Sequence, residues 1–470
     1  MKLDGIQPYS YNQSFRAGKV KVFSDFDRTF LPAGHKEFLS IVKKRDGKEL
    51  KAIFKSFSDF LKMTKESLSF IITTGRTFGE YAEMAELSRE GNLGMPLPDA
   101  LITKNGGDVH LKTGTDEAFY NGGEFPFKYD ITDKSKENYI KTRYNWDGDG
   151  IKNTFKEEYK ANGLRIVEAD SEHSPNDHGE RSLFSAGKLS DKVYQDEWSV
   201  GFRNDGKLKF FVLGPNDNSG QKSDIIKQMD KHIKSELEKK GIRFLLADYD
   251  VNVRGRHGVD LGPDLDGEHL TKAYDTKLAV RKAWEENDLV IAAGDSSNDI
   301  EMINPITYLL DEGSFAKSLT PENKTYLKKH INEPAKIIEY LDTNSKVAEA
   351  FLNLPYCGII LKNEDSDLFA KFKPFAEGKY QKLVVVKQGE LEKGIKDAIA
   401  LYSKQTPKYK EVLDSELKKQ IADNKPPHKP DDEGGNNFWK YILGGGCVIG
   451  LIAAVHKMVK NKKAPVIAGE

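Results

Sequence analysis

Residues 19–29 read KVKVFSDFDRT, a short apolar run that ends in two carboxylates, Asp25 and Asp27. The run predicts a β-strand, and the two carboxylates just beyond its end can face one crevice. Ligand sites in open α/β sheets lie at the carboxyl ends of strands. One such carboxylate can attack phosphorus while the other transfers a proton to the leaving oxygen and then activates water. In isolation the pair fits a helix cap or a solvated turn better, so the interpretation depends on the rest of the chain.

A second apolar run, FIITTGR at residues 70–76, ends in Thr74 and Gly75. A hydroxyl and a backbone N–H at a strand-to-helix turn suit a phosphoryl oxygen. The alternative for this stretch alone is a glycine turn in which the threonine caps the following helix.

A third run, LVIAAGDSSND at residues 289–299, ends in Asp295, and Asp299 follows at a predicted helix start. Carboxylates in this arrangement are good ligands for a hard cation. Mg²⁺ takes few carboxylates, keeps several waters and bridges to phosphate oxygens. This stretch therefore predicts a magnesium site.

Taken together and in this order, DFDRT, TTGR and GDSSND resemble the haloacid dehalogenase-like hydrolase superfamily. That superfamily carries DxDxT, a strand-end threonine or serine, a lysine and GDxxND. The TGR turn, the strand LITKNGG and the long insertion after it look like the branch that contains Cof-type and sucrose-phosphate phosphatases. The resemblance covers residues 20–405. One departure is Arg28, where glycine is commonest in the family.

The resemblance implies roles for four carboxylates. Asp25 corresponds to the nucleophile and Asp27 to the general acid and base. Mg²⁺ would be held by Asp25, by the carbonyl of Asp27 and by Asp295. Asp299 would support the metal directly or from behind its ligands.

Five further positions complete the site that the resemblance implies. Thr74, Gly75 and Asn105 would bind the phosphoryl group. The family also needs a lysine before the last motif, where a cation offsets the charge of the nucleophile and of the phosphoryl oxygens. Lys277, at the start of a predicted helix, is the favoured candidate, and Lys272 is its rival.

Strand-like and helical runs alternate from residue 20, which predicts an α/β fold with a doubly wound parallel sheet. The core is assigned to residues 20–110 and 258–405. Residues 111–257 are polar and rich in glycine and aspartate, and we expect them to form an inserted α+β cap domain.

Composition excludes several classes of protein. The chain has 470 residues and a formal net charge of -1, so no basic field points to nucleic acid as a partner. Its two cysteines exclude a disulfide framework and a cysteine zinc site. The first residues lack the apolar core of a signal peptide, which predicts a cytoplasmic catalytic body.

The C-terminal region has a different character. Residues 421–437 read as a linker, and residues 438–459 are predicted to form an apolar helix close to the length of about 20 residues that spans a bilayer. A membrane anchor is favoured over a helix docked on the core. Gly446 and Gly450 form a GxxxG pattern, a weak sign of self-association.

The sequence thus predicts a Mg²⁺-dependent phosphatase that acts through an aspartyl-phosphate on a small phosphorylated metabolite. A sugar phosphate is the substrate class that the branch implies. The alternative is a membrane-tethered binding protein that keeps the fold without turnover. The presence of all four motif carboxylates and Thr74 favours the enzyme.

Overall fold

The computed structural model describes most of the first 405 residues. The described ranges are residues 20–129, 136–161, 165–169, 199–204, 208–213, 231–251, 256–265, 270–286, 288–311, 319–362 and 368–405. The chain divides into two compact units, Met1–Leu417 and Lys418–Glu470. The second unit, with the predicted linker at 421–437 and the apolar helix at 438–459, lies outside the described residues.

Thirteen strands are found in the described residues. They are β1 (Val20–Ser24), β2 (Leu68–Thr73), β3 (Ala100–Thr103), β4 (Asp108–Lys112), β5 (Phe127–Tyr129), β6 (Arg165–Ala169), β7 (Ser199–Asn204), β8 (Leu208–Leu213), β9 (Phe244–Val251), β10 (Arg256–Pro263), β11 (Leu289–Gly294), β12 (Tyr356–Lys362) and β13 (Leu383–Lys387).

Fourteen α-helices have both ends within the same residues. They are α1 (His35–Lys44), α2 (Lys48–Thr64), α3 (Phe78–Glu90), α4 (Asp116–Tyr120), α5 (Lys136–Tyr144), α6 (Gly148–Ala161), α7 (Lys272–Glu286), α8 (Ile300–Ile303), α9 (Pro305–Leu309), α10 (Pro321–Lys329), α11 (Pro334–Thr343), α12 (Ser345–Leu352), α13 (Leu368–Ala376) and α14 (Leu391–Gln405). Residues 231–239 are also helical.

The large sheet has eight strands in the order β13-β12-β11-β1-β2-β3-β4-β5. Its first six strands run parallel, and β4 and β5 add an antiparallel edge. The fold is therefore α/β with a mostly parallel central sheet, as predicted. The sheet also extends past the predicted core boundary at residue 110, because the chain turns back after β3 and pairs β4 against it.

Both faces of the large sheet are covered by apolar side chains. Successive residues of a strand point to opposite faces. Accordingly Val22 and Ile291 belong to one buried cluster, and their neighbours Phe23 and Ala292 belong to another. Helices α1 to α4 and α14 pack on the first face, and α7 to α13 pack on the second. This two-sided covering explains the continuous apolar runs of the central strands.

A second sheet has five strands in the order β6-β7-β8-β10-β9 and is mostly antiparallel. It lies between β5 and α7 along the chain, where the sequence predicted an inserted α+β domain. Within the described residues, no helix combines the length and the apolar character that a membrane crossing needs.

Buried His110 on β4 makes the stability of the fold depend on pH. Its Nε2 lies 3.1 Å from the Thr103 hydroxyl, its ring stacks on Phe78, and Nδ1 has no hydrogen-bond partner among the described residues. Burial lowers the pKa of His110 to about 4. In the unfolded chain His110 binds a proton near pH 6.5, whereas in the folded chain it binds one only near pH 4. The free energy of unfolding therefore decreases as pH falls from 6.5 towards 4.

We expect the free energy of unfolding to fall by about 2 kcal/mol between pH 7.5 and pH 5 through this residue alone. Denaturant unfolding at the two pH values measures the loss. The His110→Phe variant should lose less stability over the same interval, because it has no group to protonate. An equal loss in the variant would contradict the assignment.

Candidate active site

The site lies where the strand order of the large sheet reverses. From β1 the chain proceeds to β2 and β3 on one side, whereas β11 to β13 lie on the other. Such a switch point opens a crevice at the carboxyl ends of the strands. Asp25 directly follows β1, Asp295 directly follows β11, and the amide of Asp25 donates to the carbonyl of Ala293 at 2.9 Å. Two strand-end carboxylates therefore meet at the switch point.

Three buried carboxylates gather in this crevice. One oxygen from each of Asp25, Asp295 and Asp299 lies within 4.8 Å of the other two. Three negative charges so close together repel one another unless cations offset them. Oxygen donors of this kind are the ligands that Mg²⁺ prefers, so the residues fit a magnesium ion.

Lys272 is the cation that the fold supplies to this cluster. Its Nζ lies 2.7 Å from Oδ1 of Asp25 and 2.9 Å from Oδ1 of Asp299. Burial and, second, the Asp299 carboxylate raise the pKa of Asp25 to about 8, against the attraction of Lys272. Burial alone would lower the pKa of Lys272, but the two carboxylates raise it above its ordinary value. Lys272 therefore stays protonated and bridges the nucleophile candidate to Asp299.

The sequence favoured Lys277 for this place, and the structure puts its rival there. Nζ of Lys277 contacts Glu301 at 2.9 Å. Lys272 is the first residue of α7 and reaches the crevice from the end of that helix. Five residues later the side chain has turned by about 140° from that direction, so the two lysines cannot serve the same cluster.

One oxygen of Asp299 accepts three hydrogen bonds from its own loop. Its Oδ2 accepts from the backbone N–H of Asp295 and of Ser296 at 3.2 Å each, and from the Ser296 hydroxyl at 3.1 Å. A Cβ on Gly294 would lie 2.4 Å from that of Asp299, so only glycine fits at the end of β11. This arrangement suits Asp299 to holding the loop and Lys272 in place.

The loop after β1 is tied to the loop after β11. The Thr29 hydroxyl donates to Oδ1 of Asp295 at 3.2 Å. Arg28, the residue before Thr29, adopts a left-handed backbone conformation with φ of 57°. That conformation costs a residue with a side chain about 1–2 kcal/mol and costs glycine almost nothing. A glycine preference at this position thus has a physical reason, and the chain tolerates the arginine.

Asp27 is held by a residue to which the sequence analysis gave no role. Arg76 donates from Nε to Oδ2 at 2.7 Å and from Nη2 to Oδ1 at 2.6 Å, a bidentate pair. The signal was present in the sequence as the cation that directly follows the Thr74–Gly75 turn.

Thr74, Gly75 and Asn105 come together in the neighbouring loops. The buried Thr74 hydroxyl accepts from the N–H of Arg76 at 3.2 Å, and an oxygen that accepts can still donate its own proton. The N–H of Asn105 donates to the carbonyl of Thr74 at 2.9 Å. A Cβ on Gly75 would lie 3.1 Å from Oδ1 of Asn105, so glycine permits this close approach. All three predicted residues therefore lie together at the turn whose next residue, Arg76, contacts Asp27.

Comparison with known proteins adds little information about function to the geometry of the site. No protein-family model and no curated protein matches the chain. Among solved structures, a haloacid dehalogenase-like hydrolase protein, yhjK, from Bacillus subtilis is 15% identical, with a TM-score of 0.29, over 67% of this chain and 93% of that chain. The IMP-bound IMP-nucleotidase of Plasmodium falciparum is 12% identical, with a TM-score of 0.27, over 59% of this chain and 60% of that chain. Likenesses at this level carry no weight for function, which has to be inferred from the site itself.

Proposed function

We propose that the protein is a Mg²⁺-dependent phosphatase of the haloacid dehalogenase-like type. The observation that carries the proposal is the buried cluster at the switch point. There Asp25 and Asp299 share Lys272 at 2.7 and 2.9 Å, and Asp295 completes a set of three carboxylates within 4.8 Å. A nucleophile, a fixed cation and a set of hard ligands in one crevice suit phosphoryl transfer.

In the proposed reaction, Oδ2 of Asp25, the oxygen that does not contact Lys272, attacks phosphorus. The ester P–O bond breaks, and Asp27 gives its proton to the leaving oxygen. Asp27 then takes a proton from the water that attacks the aspartyl-phosphate, and the bond to Asp25 breaks to release phosphate. Lys272 offsets negative charge beside the nucleophile throughout.

Two parts of the protein would bind the rest of the reacting group. Thr74, the backbone at Gly75 and Asn105 are placed to donate to phosphoryl oxygens. Asp25, the Asp27 carbonyl and Asp295 would hold Mg²⁺, with Asp299 behind them. When bound, Mg²⁺ would supply positive charge to the phosphoryl oxygens. The second sheet would serve as a cap that excludes water, and a sugar phosphate remains the expected substrate class.

Release of phosphate from p-nitrophenyl phosphate, with and without Mg²⁺, tests the proposal. We expect turnover only with the metal, and a panel of phosphorylated metabolites then identifies the substrate. A chain that binds phosphorylated metabolites but releases no phosphate would instead be the binding protein that the sequence left as the alternative.

The metal role has its own test in Asp295→Ala, which removes one hard ligand. We expect the Mg²⁺ concentration for half-maximal activity to rise at least tenfold, or activity to disappear. The rise in melting temperature caused by Mg²⁺ should shrink in parallel, which gives a readout independent of turnover. Asp397→Ala, a carboxylate paired with Lys393 on α14, is the matched control and should change neither quantity. Full activity in excess chelator would contradict a metal role.

We also propose that residues 438–459 attach the protein to a membrane, on the strength of their apolar sequence after a linker. A chain ending at Asp423 should lose membrane association and keep its turnover, because every proposed site residue precedes residue 300. Fractionation and phosphatase assays on both chains test this. Full-length protein found only in the soluble fraction without detergent would contradict the anchor.

A further inference from the structure

A second buried ion pair lies beside the site and takes no part in the proposed reaction. Nζ of Lys136 contacts Oδ2 of Asp275 at 2.6 Å, and the two side chains are only 2% and 0% exposed. Burial raises the pKa of Asp275 and lowers that of Lys136, while their mutual attraction opposes both shifts. Buried pairs seldom stabilise a fold more than apolar residues of the same size. What such a pair does supply is a fixed distance between the elements that carry it.

One residue of the pair, Asp275, lies in the same helical turn as Lys272, the proposed catalytic lysine. Asp275 lies three residues after Lys272 on α7, and residues at that spacing are neighbours on a helix surface. Between them the ring of Tyr274 lies under Nζ of Lys136, at 4.7 Å from the ring centroid. A displacement of Asp275 would therefore move the first turn of α7, which carries Lys272.

The other residue lies on a helix of the third apolar cluster, against which Tyr274 of α7 also packs. Lys136 is the first residue of α5, and that helix contributes Ile140 and Tyr144 to a third apolar cluster. The same cluster contains Leu261 and Leu265, which lie in β10 and just after it. The pair thus adds a charged contact of fixed direction to the apolar packing between α7 and this cluster.

A third element meets the pair at Gly106. A Cβ built there would lie 2.7 Å from the carbonyl oxygen of Thr271 and 3.4 Å from Nζ of Lys136. Gly106 has a φ of 95°, which a glycine adopts without strain. The turn that contains Asn105 therefore presses against both Lys136 and the residue before Lys272.

We propose that Lys136 and Asp275 are a positioning pair that holds Lys272 and the Asn105 turn in register with α5. The expected effect on kcat rests on the proposed phosphatase function, whereas the positioning role itself does not. A charged hydrogen bond fixes a distance and a direction, whereas apolar side chains of similar size would let the three elements shift. A shift of Lys272 away from Asp25 weakens charge neutralisation in the transition state, so it lowers kcat more than it changes KM.

The experiment compares three disruptions of the pair with a matched control. The variants are Lys136→Met, Asp275→Asn and the double variant Lys136→Met/Asp275→Leu, whose apolar residues can keep the site packed. The control is Lys21→Met/Asp288→Asn, which removes another buried ion pair, with Nζ to Oδ2 at 3.0 Å, at the opposite end of β1. Backbone hydrogen exchange is followed at residues 104–107 and 273–276, and kcat and KM are measured on the same samples.

We expect exchange in both segments to rise at least tenfold in the folded pair variants and to change less than twofold in the control. The value of kcat should fall at least tenfold, with KM changed less than threefold. Unchanged exchange in the double variant would overturn the proposal, and so would unfolding of the double variant, since the pair would then serve the fold itself. If the wild-type chain releases no phosphate, the proposed function fails, and the exchange result still decides the role of the pair.

Discussion

Asparagine in place of Asp25 is expected to abolish phosphate release, lowering turnover by at least about 10³-fold, because an amide cannot attack phosphorus. The fold should survive this change. Asp25 is buried beside the Asp299 carboxylate, and both effects raise its pKa, so its ionised form is disfavoured there. The metal-free variant should therefore melt at the same temperature as the wild type or higher.

Initial rates on p-nitrophenyl phosphate with saturating Mg²⁺ and melting curves without metal measure the two effects. Asp397→Asn, a carboxylate paired with Lys393 on α14, is the matched control and should leave both unchanged. Near-native turnover by the Asp25→Asn variant would remove the nucleophile from the mechanism.

The lysines of α7 offer an internal comparison. The side chains of Lys272 and Lys277 are each 9% exposed, and each makes an ion pair, yet only Lys272 contacts Asp25. We expect Lys272→Met to lower kcat by about 10²–10³-fold, the size of effect seen when one preorganised electrostatic contact to a transition state is lost. Lys277→Met loses a contact with the half-exposed Glu301 and should stay within threefold of the wild type.

Steady-state kinetics on the two variants decides which lysine serves the reaction. A larger loss in the Lys277→Met variant would assign the role to Lys277, as the sequence favoured. Equal losses would mean that both changes act through the stability of α7, which melting temperatures would reveal.

The sequence predicted the placement of the carboxylates because strand ends obey a simple rule. Apolar runs identified β1 and β11, parallel strands end at one edge of a sheet, and Asp25 and Asp295 are the residues that follow. That Asp25, Asp295 and Asp299 would lie close together could be predicted from the strand-end rule, without knowing any contact between residues distant in the sequence. Their roles in catalysis and metal binding remain predictions.

The identity of the lysine could not be predicted in the same way. Lys272 and Lys277 belong to one helix, and the choice depends on where that helix begins and which way its first turn faces. Sequence patterns locate helix ends only to within a few residues. A shift of that size decides which of the two side chains faces the crevice.

The sequence also did not show which partner a remote charged side chain would find. The Arg76–Asp27 and Lys136–Asp275 pairs join residues that no local pattern links. The antiparallel edge formed by β4 and β5 was missed for a similar reason. The polar segment between them reads like the start of another domain, although β4 pairs directly with β3.

The central position of β1 has a consequence for how the protein is made. On one side β1 pairs with β2, which leaves the ribosome soon afterwards, but on the other it pairs with β11, and the buried contact between Lys21 and Asp288 joins residues 267 positions apart. At synthesis rates of about 5–20 residues per second, the inner edge of β1 stays unpaired for roughly 10–60 s. An unpaired apolar edge is a template for aggregation. Nascent chains stalled within the insertion should therefore depend on chaperones, and fragments that end before β11 should accumulate as aggregates.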